Sequence, residues 1–210
     1  MIKLSLMNNE GHLENQLICK IGYHGTSVSN ADLIKSNGFT ISQNESHWLG
    51  QGVYFFEDDF HEAERWTLYV CKRANGVVFK ARIIVKENNY LDLNTRSGIK
   101  RLNDWFEGGK LELSQGIVLL PSSDEDEYRL VCTLIDLSVP PHIHVISKAI
   151  SPTDDEKWGS TYIDKDFRDL YAFRLTHTQI CVRELSCIEI IKDLKVEKDE
   201  KFKRITRSIG

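Results

Sequence analysis

The sequence predicts a single α+β domain made of several antiparallel strands with helices between them. Three observations point to this. Segments with period-two alternation recur, most clearly at Val77–Val85 (VVFKARIIV), where Val77, Phe79, Ala81 and Ile83 share one face and Lys80 and Arg82 the other. Helical stretches with their own start and stop signals fall between such segments. The 210 residues, 41% apolar and 28% charged, can bury one ordinary core. Neither a repeat nor a Pro/Gly/Ser-rich linker divides them, so residues 1–210 read as one domain.

The elements follow in order. Leu17–Tyr23 (LICKIGY) reads as a strand running into His24-Gly25-Thr26. A helix follows from Ser27 to Asn37, with Ser27 or Ser29 as its cap, Ala31 and Ile34 on one face, Gly38 as terminator and Phe39 packing back. A polar loop (Ser42–His47) leads to Trp48-Leu49-Gly50-Gln51-Gly52 and a strand Val53–Phe56. Glu57-Asp58-Asp59 suits the first turn of a helix reaching about Arg73, with Ala63, Trp66 and Val70 on its stripe. Asn75-Gly76 signals a turn before the Val77–Val85 strand. Tyr90–Leu93 reads as a short strand. The span from Arg96 to Leu137 reads as helical, broken at Gly108-Gly109 and stopped by Val139-Pro140-Pro141. Strands return at His142–Ala149, Thr178–Arg183 and Ile188–Val196. Residues 192–210, with seven basic and four acidic side chains, read as a charged solvated tail.

Composition excludes several classes. With 27 basic and 31 acidic residues the net charge is −4, which argues against coating nucleic acid through bulk charge while leaving a local groove open. No apolar run is long enough to span a membrane, and MIKLSLMNNE lacks the pattern of a secretory signal. Five widely spaced cysteines (Cys19, Cys71, Cys132, Cys181, Cys187) without a CxxC fit reduced, mostly buried thiols in a cytoplasmic protein. The run Asp124–Glu127 reads as a solvated helix start, and no metal is expected.

Two strings carry the chemistry: Tyr23-His24-Gly25-Thr26 at a strand end, and Trp48-Leu49-Gly50-Gln51-Gly52-Val53-Tyr54-Phe55, a Gly-x-Gly turn feeding a strand. At this spacing, with a helix and Gly38-Phe39 between them and an Ala-containing helix after, the chain resembles the catalytic domain of ADP-ribosyltransferases related to poly(ADP-ribose) polymerase and diphtheria toxin. That superfamily has a His–Tyr–[Glu/Asp/Gln] triad. The third member is matched by Gln179 in Gln179-Ile180-Cys181-Val182-Arg183. The likeness covers about residues 21–66 well and 178–190 loosely.

The resemblance implies an ADP-ribosyltransferase-like split antiparallel β-core with flanking helices. It also implies NAD+ as co-substrate, catalytic residues His24, Tyr54 and Gln179, and a binding site that includes Gly25, Thr26, Gly52 and Trp66. The chemistry of NAD+ suits these residue types. A Tyr54 ring can seat the cationic nicotinamide. Gly25 allows close backbone approach to its carboxamide, and His24 can hold a ribose hydroxyl. Trp66 falls one residue from where a second aromatic is expected, with Arg65 and Glu62 as competitors for that place.

Gln179 departs from the commonest triad. Glutamine keeps a hydrogen bond to the ribose but loses the charge that favours an oxocarbenium-like transition state, on the order of 10²–10³ in rate. Glu184 points to the other strand face and does not replace it. The expected activity is therefore mono-ADP-ribosylation of a macromolecular acceptor, protein or nucleic acid, with release of nicotinamide. The format resembles a bacterial or phage toxin or effector, with an antitoxin or chaperone as a further partner. The alternatives are a catalytically weak NAD+/ADP-ribose-binding module and, ranked lower, an enzyme like the RNA 2′-phosphotransferases.

Overall fold

The computed structural model describes residues 2–7, 13–41, 47–113, 124–150 and 176–198. Among the described residues, eight strands form one sheet: β1 (Ile2–Met7), β2 (Leu13–Thr26), β3 (Val53–Glu57), β4 (Asn75–Lys86), β5 (Tyr90–Asp92), β6 (Val145–Ile150), β7 (His177–Val182) and β8 (Ile188–Glu197). Their order is β5-β6-β7-β3-β2-β4-β8, with β1 also paired to β2. All pairs are antiparallel except β5–β6. Four α-helices among the described residues accompany them: α1 (Val28–Asn37), α2 (Phe60–Arg65), α3 (Arg96–Leu113) and α4 (Asp124–Ser138). This is a mixed α+β fold. None of the described helices is long and apolar enough to cross a membrane.

Local chemistry accounts for the elements. Ser27 caps α1 by accepting from the Asn30 N–H, and Gly38 (φ 80°) ends it with its N–H on the Ile34 carbonyl. Phe39 then turns back into the core beside Phe55 and Phe79. β4 is buried on both faces over Gly76–Phe79 and alternates afterwards. One core cluster, with Ala31, Phe39, Phe55 and Phe79, lies on one side of β4; another, with Ala63, Phe56, Leu68 and Val78, lies on the opposite side. The five cysteines are free thiols, and Cys132, Cys181 and Cys187 are buried.

Several sequence expectations are corrected. β2 begins four residues before Leu17, because β1, an alternating IKLSLM segment, supplies a partner there. Glu57 stays in β3 opposite Gly22, Asp58 makes the turn at φ 51°, and Asp59 caps α2. The helix expected to reach Arg73 ends at Arg65 and widens into a π-helical turn, Trp66–Val70. That wide turn shifts the buried stripe, so Thr67 and Leu68 point inward while Trp66 is 42% exposed. Asn75-Gly76 is no turn but the first two residues of β4, and the chain reverses at Lys72 (φ 52°) instead. α3 runs through Gly108-Gly109 without a break. Residues 192–197 are not tail but the second half of β8, paired to β4, with Val196 buried. The rest of that tail (199–210), the loop 42–46 and residues 114–123 of the predicted helical span lie outside the described residues.

Candidate functional site

The site is built where β2 and β3 part. β1 and β3 occupy one edge of β2, and β4 occupies the other. β3 pairs with β2 at only two positions, Gly22↔Glu57 and Tyr23↔Phe56, and the Asp58 N–H donates to the Ile21 carbonyl. The backbone groups of Ile21, Tyr23 and Gly25 therefore face β3, while those of Gly22, His24 and Thr26 face β4. Continued by one rung, the ladder would set Gly25 against Tyr54. That rung is not made. The His24 side chain reaches across instead, with Nδ1 2.8 Å from the Tyr54 carbonyl oxygen.

A carbonyl only accepts, so His24 carries its proton on Nδ1 and, when neutral, offers a lone pair at Nε2. Its ring lies edge-on to Phe39 at 5.2 Å and 5.7 Å from Phe55. Burial pushes its pKa below the usual histidine value; the Tyr54 carbonyl raises it and nearby Arg73 lowers it further. Beyond Tyr23 the Gly25 N–H and C=O lie along the parted edge. A Cβ at Gly25 would collide with Thr67 Oγ1 and the Ala63 carbonyl, so glycine is required here for α2 to pack on β2. Thr26, buried, pairs with Val77 at the end of the β2–β4 ladder.

Tyr54 and His24 meet through the backbone of Tyr54, and their rings belong to different clusters. The Tyr54 ring packs with Leu49 and Cys181, and lies 4.5 Å from the His47 ring. Its hydroxyl donates to the Gly50 carbonyl (2.7 Å) and accepts from the Leu49 N–H (2.8 Å). Burial pushes the phenol pKa well up and drives the Cys181 thiol to about 12, so neither ionises near neutrality. Gly50 sits at φ 81°, and a Cβ there would strike Asp136, whose carboxylate accepts from the Gln51 N–H with both oxygens (3.0 and 3.1 Å). Gly52 packs so closely on Cys181 and Val182 that a Cβ would overlap them. The Gly-x-Gly turn is thus clamped by α4 on one side and β7 on the other.

Register places Gln179 opposite Phe56 and Cys181 opposite Tyr54, so Tyr54, Phe56 and Gln179 emerge on one face of the β3–β7 pair. Gln179 Nε2 is 3.3 Å from His177 Nε2. His177 also faces Phe56 edge-on at 5.2 Å and lies 3.8 Å from Glu62. The carboxylate of Glu62 is held by Arg65 through Nε at 2.7 Å and through Nη2. The exposed Trp66 stands 6.4 Å from Phe56, at the margin of this group, not inside it. Glu184 lies beyond β7, accepts from the Ser186 N–H and is exposed, away from the site. Among the described residues no cluster of three or more His, Cys, Asp or Glu is arranged to hold a metal.

Sequence reading passed over His177, Asp136 and His47. His177 was accessible through strand alternation, two residues before Gln179. Asp136 and His47 carry no motif, and only the folded chain brings them to the Gly-x-Gly turn and Tyr54.

No protein-family model matches the chain. It is 38% identical over 77 residues to an uncharacterized protein of Methanocaldococcus jannaschii, a match covering 34% of this chain and 36% of that protein. The chain thus aligns with about a third of the length of the curated relative it matches.

Proposed function

We propose that the chain is a mono-ADP-ribosyltransferase with an ADP-ribosyltransferase-like split sheet, using NAD+ to modify a macromolecular acceptor and releasing nicotinamide. The observation that carries this reading is the unmade rung between Gly25 and Tyr54. His24 satisfies the Tyr54 carbonyl, so among the described residues β3 leaves the Gly25 N–H and C=O, side by side on that edge, unmatched by a rung. A primary carboxamide presents one acceptor and one donor side by side, the complement of that edge. Nicotinamide is such an amide. On this reading the Tyr54 ring, fixed by two hydroxyl hydrogen bonds, seats the pyridinium, and His24 Nε2 accepts from a hydroxyl of the adenosine-side ribose. Gln179, on the same face as Tyr54, accepts from the ribose next to nicotinamide. Arg73, close enough to His24 to lower its pKa and without an ion pair among the described residues, supplies positive charge for the pyrophosphate. As the glycosidic bond to nicotinamide breaks, an acceptor nucleophile attacks C1′.

The test is incubation of the purified protein with labelled NAD+ and lysate, following nicotinamide release and label transfer in protein and nucleic-acid fractions. Wild type should release nicotinamide and transfer label, with His24→Ala and Tyr54→Ala reduced by 10²-fold or more, on the order of a lost transition-state contact. Equal release by all three would refute the reading. One observation favours a second reading, a module that binds NAD+ or ADP-ribose without turnover: the neutral amide of Gln179. Calorimetric binding of NAD+ with no nicotinamide release, together with release restored by Gln179→Glu, would select it.

A further inference from the structure

A glutamine in place of a carboxylate raises a problem of orientation. A carboxylate accepts with either oxygen, whereas an amide accepts at one end and donates at the other. Which end faces the substrate must be fixed by the protein. Around Gln179 the neighbours that do so come from two elements. His177 Nε2 lies 3.3 Å from Gln179 Nε2 on the same strand, and Glu62 Oε1 of α2 lies 3.8 Å from His177 Nδ1 on the other side of the ring. The His177 and Glu62 side chains are only 16% and 14% exposed.

We propose that Glu62 and His177 are positioning residues that hold the Gln179 amide with its NH2 toward His177 and its carbonyl oxygen toward substrate. The inference rests on the NAD+ reading only for the identity of the hydroxyl that this oxygen accepts from. The carboxylate beside Nδ1 favours the proton there, which leaves Nε2 of the neutral imidazole as an acceptor. Only the NH2 end of the amide can donate to it. The carbonyl end is then turned away from His177, on the face shared with Tyr54, and takes the role a carboxylate oxygen would play. Arg65 fixes Glu62 from the same helix, and the Phe56 ring holds the imidazole edge-on.

Protonation of His177 reverses the arrangement. The imidazolium carries N–H at both nitrogens, so Nε2 needs an acceptor, and the amide turns its carbonyl toward His177. Among the described residues, the charged groups facing the ring are Glu62 and Arg65 of α2 and Asp59 at its cap. On β6, Ile150 stands opposite His177, while Lys148 stands opposite Gln179 with its ammonium on the Leu93 carbonyl. Burial keeps His177 below the ordinary histidine pKa, with Glu62 opposing that shift and Arg65 adding to it. The productive orientation therefore holds at neutral pH.

The test uses the whole protein and two variants. In His177→Gln an amide oxygen near the former Nε2 still accepts from Gln179 and does not titrate; in His177→Phe a ring of similar shape offers no acceptor. Nicotinamide release by wild type should fall on acidification, with its midpoint below the ordinary histidine pKa of about 6.5. His177→Gln should keep kcat within roughly threefold and lose the His177 share of that acidic limb, leaving the part that follows His24. His177→Phe should lose about tenfold in kcat at nearly unchanged KM, the worth of one ordinary hydrogen bond. Long-range 1H–15N NMR on the protein without NAD+ should show neutral His177 protonated on Nδ1. An Nε2–H tautomer at neutral pH, or a His177→Phe as active as wild type, would overturn the proposal. Nδ1–H in a protein that neither binds nor cleaves NAD+ would leave the amide orientation standing and remove the NAD+ reading instead.

Discussion

The imidazole of His24 stands where a backbone rung would otherwise form, its Nδ1 donating to the Tyr54 carbonyl at 2.8 Å. The two residues are thirty positions apart, and the bond spans the point at which β2 and β3 separate. It therefore has two separable consequences: it satisfies the Tyr54 carbonyl, and it leaves the Nε2 lone pair outside that bond, where we propose a ribose hydroxyl binds. Asparagine places an N–H donor near Nδ1 and nothing at Nε2. His24→Asn should lose NAD+ turnover while staying more stable than His24→Ala, because it keeps a donor for the Tyr54 carbonyl. His24→Ala should lose turnover and also about 1 kcal/mol or more, since the Tyr54 carbonyl is left without its donor. Urea unfolding beside nicotinamide release separates the two.

Stability should depend on pH with a definite sign. His24 and His177 are both held below the ordinary histidine pKa, primarily by burial. Their unfolded forms take up protons near pH 6.5, where the folded forms resist it. The stabilisation is complete above that pH and is lost as pH falls from it through the lower folded-state values. Urea midpoints should therefore be flat above about pH 7 and decline toward pH 5, less steeply in His24→Asn. A midpoint that rises on acidification would contradict the burial assigned to these rings.

Much of this was readable in the chain before it was folded. The capped helix at Ser27, the Gly38-Phe39 return, the β4 alternation and the two strings around His24 and Tyr54 are local signals, set by nearest-neighbour geometry and period. What the chain did not disclose depends on partners distant in sequence. β1 lengthens β2, the π-helical turn rotates Trp66 outward, and β8 absorbs the first third of a charged segment because those residues pair with β4. The reason for Gly25 also changed: packing of α2 demands it, and the open backbone edge accompanies that packing.

Gly25 should thus be intolerant of any side chain for reasons independent of ligand. Gly25→Ala places a methyl against Thr67 Oγ1 and the Ala63 carbonyl, and overpacking of this kind costs roughly 1–3 kcal/mol. Adding Thr67→Ala removes one of the two clashes and should recover part of the loss. Chemical denaturation of the single and double variants measures the coupling directly.

Tyr54→Phe keeps the ring and removes the hydroxyl that bridges the Leu49 N–H and the Gly50 carbonyl. Two backbone groups in the turn lose their partner, a loss of roughly 1–3 kcal/mol. Because the ring proposed to seat nicotinamide remains, turnover should fall only by about tenfold, against a loss of 10² or more in Tyr54→Ala. Steady-state nicotinamide release and thermal unfolding of both variants check the ordering.

The open backbone edge of Gly25 is the centre of the account, and amide NMR reads it most directly. In a 15N-labelled protein titrated with nicotinamide and then with NAD+, the Gly25 N–H should move downfield and saturate with both ligands. Tyr54 and Gln179 signals should respond beside it. Saturable shifts that leave Gly25 unmoved, or no response to either ligand at millimolar concentration, would contradict it.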